Sequence, residues 1–267
     1  MFALAQSQPV AFEVASVKPS NPRAADGGAK GEGGGLPFRV EPERFSSTNR
    51  RLYGLIIQAY GVRGCRPLGE VDCSLVVGGP DWIKKDRFDV QAKMPSGSPI
   101  YTTTQFLNGE ATELQFMLQT LLVDRFHLKV HRESRQLPVY ELTIAKQGHK
   151  LKKADETETP SLVFRPSVQS DGVRTLQLDA KNQSLREVAE MYTRVLGRPV
   201  LDRTGLQGKF DFTVEYDADT DAPGAFTELA GPAVFRAFQE QVGLRFISTK
   251  GSVEVLVIDH AEHPTEN

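Results

Sequence analysis

Residues Asn49 to Met94 and Asn182 to Tyr216 carry the same series of elements: an Asn, a short amphipathic helix, a strand, a polar turn, and a second strand containing Phe-Asp. One fixed offset carries Asn49, Leu52, Leu55, Ile56 and Ala59 onto Asn182, Leu185, Val188, Ala189 and Tyr192. Phe88 meets Phe210 only after eleven residues are taken out of the first copy, and that interval holds Cys65 and Cys73. A chain with this pattern is expected to fold as α+β in two related halves. Each half reads roughly β-α-β-β-α-β-β, with helices packed on one face of a mainly antiparallel sheet.

The remaining segments fit this plan. Ala11 to Lys18 alternates apolar and polar residues as a strand does, and Pro19 ends it. Leu52, Leu55, Ile56 and Ala59 form the stripe of a first helix, and Arg87 to Lys93 alternates as a strand. Met94 to Gly109 reads as loop. Thr112-Glu113-Leu114-Gln115 and Ser184-Leu185-Arg186-Glu187 both have the form of a capping box at a helix start. Phe126 to Glu133 and Val139 to Ala145 read as a hairpin about Gln136-Leu137-Pro138. Leu244 to Ser248 and Val253 to Asp259 read as a closing hairpin after a helix from about Pro232. Ser161 to Ser167 and Val173 to Ala180 make a hairpin over Asp171-Gly172, a favoured turn pair. The domain plan is a leader over 1–9, a first half over 10–149, a charged linker over 150–160, a second half over 161–262 and a tail over 263–267. The first half includes a Gly-rich loop at 27–35 and a cysteine insert at 64–74.

Composition limits the function classes. With 39% apolar residues in 267, the chain can bury a real core. Its 32 basic and 34 acidic residues are mixed along the sequence, which does not supply the basic footprint of a nucleic-acid binder. The longest apolar runs, Leu52 to Tyr60 and Leu114 to Val123, are too short to span a bilayer, so no transmembrane segment is expected. Ala3-Leu4-Ala5 before Gln6 has the form of a signal-peptidase site. Cys65 and Cys73 lie close together in a Gly- and Pro-containing insert, as expected of a local disulfide in an oxidising compartment. A periplasmic or secreted location follows from the two features together.

No catalytic constellation emerges. The Gly-rich run matches neither GxGxxG nor GxxxxGK[ST], so it is a surface loop rather than a phosphate cradle. His127, Lys129, His131 and Glu133 would share the solvated face of a strand, which removes the helical spacing a metal site would need. His260 and His263 fall in a polar tail. Asp81, Asp89, Asp202 and Asp211 sit at turns between strands, where an Asp bonds backbone rather than moving protons. Trp82 beside Gly-Pro is a core plug. No catalytic, cofactor-binding or metal residue is assigned, and the only pairing expected is Cys65 with Cys73.

The blocks LVVGGPDWIKKDRFDVQAK, MLQTLLVDRFHLKVHRESRQLPVYELTIAK, GRPVLDRTGLQGKFDFTVEY and VEVLVIDHAEHPTEN together resemble a paralogous family of unknown function from soil bacteria, especially acidobacteria (domain of unknown function 3738). The resemblance implies secreted proteins with signal peptides, present in many copies per genome. It also implies related domains on membrane metallopeptidase sensors of the antirepressor type. It brings no catalytic residue. The order of helices and strands is also similar to that of the short N-terminal domains of secretins and TonB-dependent receptors, which bind protein partners. The expected function is a non-enzymatic extracytoplasmic binding or sensing module that needs no cofactor and contacts a protein or envelope partner, by strand addition at a sheet edge. The alternative is a hydrolase of envelope or soil polymers with its site between the halves.

Overall fold

The computed structural model describes residues 10–20, 38–65, 73–155, 157–168, 174–217 and 231–264. The Gly-rich loop at 27–35, the leader at 1–9, most of the interior of the cysteine insert, the Asp171-Gly172 turn and residues 265–267 lie outside the described residues. The fold is mixed α+β. Its contacts divide it into two units, Met1–Glu133 with Val255–Asn267, and Ser134–Glu254.

Unit 1 opens with β1 (Val14–Pro19), β2 (Phe38–Glu41) and β3 (Arg44–Arg51). It continues through α1 (Leu52–Ala59), β4 (Val76–Gly78), a single 3-10 turn at Asp81–Lys84, and β5 (Arg87–Lys93). Two further helices follow, α2 (Thr103–Leu107) and α3 (Thr112–Phe126). Strands pair antiparallel in the order β1-β5-β3-β2. The alternation seen in β5 puts Phe88, Val90 and Ala92 into the core, beside Phe38, Val40 and Phe45 from β2 and β3. α1 goes beyond its expected stripe, for all eight of its residues are buried. A buried helix end leaves carbonyls without partners. α3 meets this need, as Gln115 Nε2 donates to Gln58 O at 3.0 Å and Gln119 Nε2 donates to Ala59 O at 2.8 Å.

That bond corrects the reading of Thr112 to Gln115 as a capping box. The N-cap is Ala111, no side chain caps α3, and the Gln115 amide is committed to α1 instead. A capping box does form one helix earlier, where Thr102 and Gln105 cap α2 inside the stretch expected to be loop. His127 is corrected too. It adopts φ 48° as the left-handed C-cap of α3, so the polar strand face begins at Lys129.

Unit 2 contains β7 (Lys152–Lys153), β8 (Ser161–Val168), β9 (Arg174–Gln183), α4 (Leu185–Leu196), β10 (Val200–Asp202) and β11 (Phe210–Asp217). α5 (Gly231–Ala237) then continues into a π turn at Phe238–Val242. The antiparallel order is β7-β11-β9-β8. The charged 150–160 segment belongs to this unit, where Lys153 pairs with Phe210 and Lys152 with Asp211. α4 follows its sequence closely. Ser184 and Glu187 cap it reciprocally, Leu185, Val188, Ala189 and Tyr192 are buried, and Gly197 ends it at φ 65°. The core gathers Leu178, Val214, Tyr192, Phe238 and Leu244, with Tyr192 edge-on to Phe238 at 5.0 Å.

Two long strands replace two of the three expected hairpins, the one about Gln136-Leu137-Pro138 and the closing one. β6 (Lys129–Ile144) and β12 (Leu244–His260) are each continuous, and each runs from one unit into the other. In unit 1 β12 pairs parallel with β4 at Leu256 and Val76. In unit 2 β6 pairs parallel with β10 at Tyr140 and Val200. Gly251, between the two segments read as a closing hairpin, lies within β12. A Cβ there would come 2.9 Å from Val139 Cγ2 and 3.1 Å from Leu201 Cδ1, so this Gly serves close packing within the strand.

Cys65 and Cys73 form a disulfide with Cα atoms 5.5 Å apart and a sequence separation of 8. Closing so short a loop stabilises by about 2–3 kcal/mol in the chain-entropy description. Cys73→Ser should lower urea-unfolding stability by about that much, and reductant should do the same to the wild type. Unchanged midpoints in both cases would remove the disulfide's stabilising role.

Candidate functional site

The strand-to-helix corner is built in the same way in each unit. Asn49 has φ 56° and its N–H donates to Asp89 Oδ1 at 2.7 Å. Asn182 has φ 49° and its N–H donates to Asp211 Oδ1 at 2.8 Å. Both Asp residues follow the Phe of a Phe-Asp strand, and in each unit the ladder register shifts beside the corner. Left-handed backbone is tolerated by Asn better than by most residues, and the Asp carboxylate satisfies the amide that the turn frees. The same Asp89 oxygen also accepts from Ser20 Oγ at 2.6 Å, while Asp211 Oδ2 lies 3.6 Å from Lys181 Nζ.

The other two flagged carboxylates differ, for Asp202 has the hydrogen bonding expected at a turn and Asp81 has only a distant, exposed ion pair. Asp202 Oδ1 accepts from the Thr204 N–H at 2.9 Å and from its hydroxyl at 2.7 Å, an Asx turn. Asp81 is exposed, with Lys85 Nζ 4.0 Å away. Asp89 and Asp211 belong to different units, and each carboxylate holds its own corner.

The histidines are more engaged than a solvated face implies. His131 Nδ1 is 2.8 Å from Asp259 Oδ2, and Nε2 is 3.6 Å from Glu133 Oε2. His260 Nε2 meets Glu262 Oε1 at 2.8 Å, which holds the Glu262 carboxyl below its ordinary range. His263 stacks on Trp82 with centroids 4.0 Å apart, and its Nε2 is 2.7 Å from Asp86 Oδ2. Trp82 is thus only partly a core plug, meeting Phe126 at 6.4 Å with His263 also stacked against it. Among the described residues, no three His, Cys, Asp or Glu side chains are grouped to hold a metal ion.

The hydrogen bond to Asp259 raises the His131 pKa above its ordinary value, with a further contribution from Glu133. A raised folded-state pKa gives stability that is fully present below the unfolded value of about 6.5 and is lost as pH rises through the folded value. His131→Gln should therefore lower the urea midpoint at about pH 5.5 and leave it nearly unchanged at about pH 8.5. The opposite pattern would show that the imidazole is not held by these carboxylates.

Unit 2 has two features that sequence patterns did not reveal. The first is a concavity of about 360 Å³ whose lining includes Lys146, Gln147, Lys150, Gln239, Glu240 and Arg245. Residues near 146 and 242 meet through backbone bonds, from Ala145 N–H to Gly243 O at 2.9 Å and from Lys150 N–H to Val242 O at 2.9 Å. The second is an asymmetry of sheet edges. β11 is covered beyond β7 by the side-chain amide of Gln241, which accepts from Glu215 N–H at 2.9 Å and donates to Glu215 O at 2.6 Å, as a neighbouring strand would. At the opposite edge, among the described residues, β8 pairs only with β9.

The model of a family described as Protein of unknown function (DUF3738) matches residues 54–261. The chain belongs to this family. For this DUF3738 member, the matched span takes in Asp89, Asn182, Asp211, the concavity and β8, whereas Asn49 precedes it. No curated protein and no solved structure matches the chain. Among the described residues no helix is long and apolar enough to cross a membrane, which says nothing about crossing by strands.

Proposed function

We propose that the chain is an extracytoplasmic, non-enzymatic binding module of two related halves, and that it captures an extended segment of an envelope protein by adding it as a strand beside β8. The asymmetry of the unit 2 sheet carries this reading. One edge is occupied by Gln241, and the other offers β8, eight residues long, with Val163 41% exposed. An unpaired strand edge presents N–H and C=O groups that a peptide can satisfy, while side chains beside it supply selectivity. Leu162 and Phe164 pack against the core, so Val163 and Arg165 are placed to meet the partner on the open face, where Arg165 is held 2.9 Å from Asp179.

The disulfide suits an oxidising compartment. The matching Asn-Asp corners support descent of the two halves from one unit, and the corner bonds of Asp89 and Asp211 support a structural use of these two carboxylates.

Val163→Lys places a charge on the exposed face of this edge and should leave stability within about 0.5 kcal/mol of wild type. Affinity capture from envelope extract should return a protein with the wild type and lose most of it with this variant. Equal recovery by both would overturn strand addition at β8. Turnover of envelope polymers by the purified chain would favour a hydrolase instead.

A further inference from the structure

We infer that the concavity edged by Lys146, Lys150 and Arg245 binds an acidic sugar unit, a carboxylate or phosphate group carried beside hydroxyls. This goes beyond strand addition at β8 and uses a different surface of unit 2. The volume of about 360 Å³ lies at the lower end of the range for small-molecule sites. The walls are preformed. Ala145 N–H and Lys150 N–H bond to Gly243 O and Val242 O, and Gly148 N–H closes its own turn on Ala145 O at 2.9 Å. Gly243 is the close point of this contact, with φ 72°, and a Cβ there would press on the Gly148 backbone.

Charge sets the ligand class. The whole chain is net −2, and many of its described cations face acids, as Lys93 does Glu13, Lys181 does Asp211 and Arg203 does Glu141. Around the concavity stand three cations and a single acid, Glu240. Lys150 Nζ is spent on the Glu240 main-chain carbonyl at 2.7 Å, where it offsets the negative end of the helix. Among the described residues, Lys146 and Arg245 have no carboxylate partner. Arg245 is half-buried, and its planar fork fits two oxygens of a carboxylate or phosphate. Gln147 and Gln239 bring amides that can both donate to and accept from hydroxyl groups.

Calorimetric titration of the full chain with glucuronate, glucose 6-phosphate and glucose tests the assignment and separates uronate from phosphate sources. At low salt at least one of the two acids should bind and glucose should not, with added salt weakening the interaction. Arg245→Gln should weaken binding about tenfold, and Lys146→Gln by a smaller factor. Glu240→Gln keeps the main-chain carbonyl and removes the repelling charge, so it should tighten binding, a gain that misfolding cannot imitate. Equal binding of glucose, unchanged affinity in both cation variants, or no binding of either acid up to about 10 mM would overturn the inference. None of these results depends on β8, and Val163→Lys should leave the titration unchanged.

Discussion

Asp89→Ala should destabilise the chain by about 2–4 kcal/mol in urea unfolding, through the loss of charge-assisted hydrogen bonds and the stranding of a partly buried amide. The carboxylate accepts from both the Asn49 N–H and the Ser20 hydroxyl, so one substitution removes a side-chain tie just after β1 and the bond that holds the β3 to α1 corner. Asp211→Ala should act in the same direction on the corner at Asn182. Substitutions at the Asn sort the contributions. Asn49→Gly keeps the backbone donor and relieves a φ of 56°, so it should be nearly neutral. Asn49→Ala keeps the donor but adds left-handed strain of about 1 kcal/mol. The order Asp89→Ala, then Asn49→Ala, then Asn49→Gly is the expected ranking of loss. A mild Asp89→Ala would mean that water replaces the carboxylate at little cost.

Gly243→Ala should cost about 3 kcal/mol or more, because strain and collision act together. The added Cβ would fall inside contact distance of the Gly148 carbonyl and 2.9 Å from His149 Cα, and both neighbours are backbone. Neither can swing aside as a side chain does, so the turn over 145–148 would have to leave its seat on Val242 and Gly243. Gly205→Ala is the control. It has nearly the same φ, 71°, with no heavy atom within 4 Å of the new Cβ, and should lose only the left-handed cost of about 1–2 kcal/mol. Thermal or urea unfolding of the two variants side by side separates collision from strain.

The fold was most legible where local chemistry and burial agree. The Ser184-Glu187 capping box, the stripe of α4 and the alternation of β5 are all present as read. It was least legible where Gly and Pro serve packing rather than turning. Pro138 lies within β6 and Gly251 within β12, and Gly251 leaves room for Val139, a residue far away in sequence. Gln115 shows the same effect in a helix, since its side chain bonds the Gln58 carbonyl at the buried end of α1, beside the Gly61 N–H, instead of capping its own helix. The overlooked α2 did carry a signal, Thr102 with Gln105, inside a run rich in Ser and Thr. Lys146, Lys150 and Arg245 had no such signal. Their proximity follows from the bond between Ala145 and Gly243, and a long-range contact of that kind has no local pattern.

The edge of β8, unpaired among the described residues, and the occupied edge of β11 can be compared within one protein by amide hydrogen exchange. The full chain would be followed with and without the envelope protein recovered by affinity capture. Strand addition requires that the outward-facing amides of β8, alternate residues between Ser161 and Val168 with Pro166 carrying no N–H, gain protection on binding while those of Phe212 to Asp217 beside Gln241 do not change. Unchanged exchange across Ser161 to Val168 in a chain with its partner demonstrably bound would contradict it.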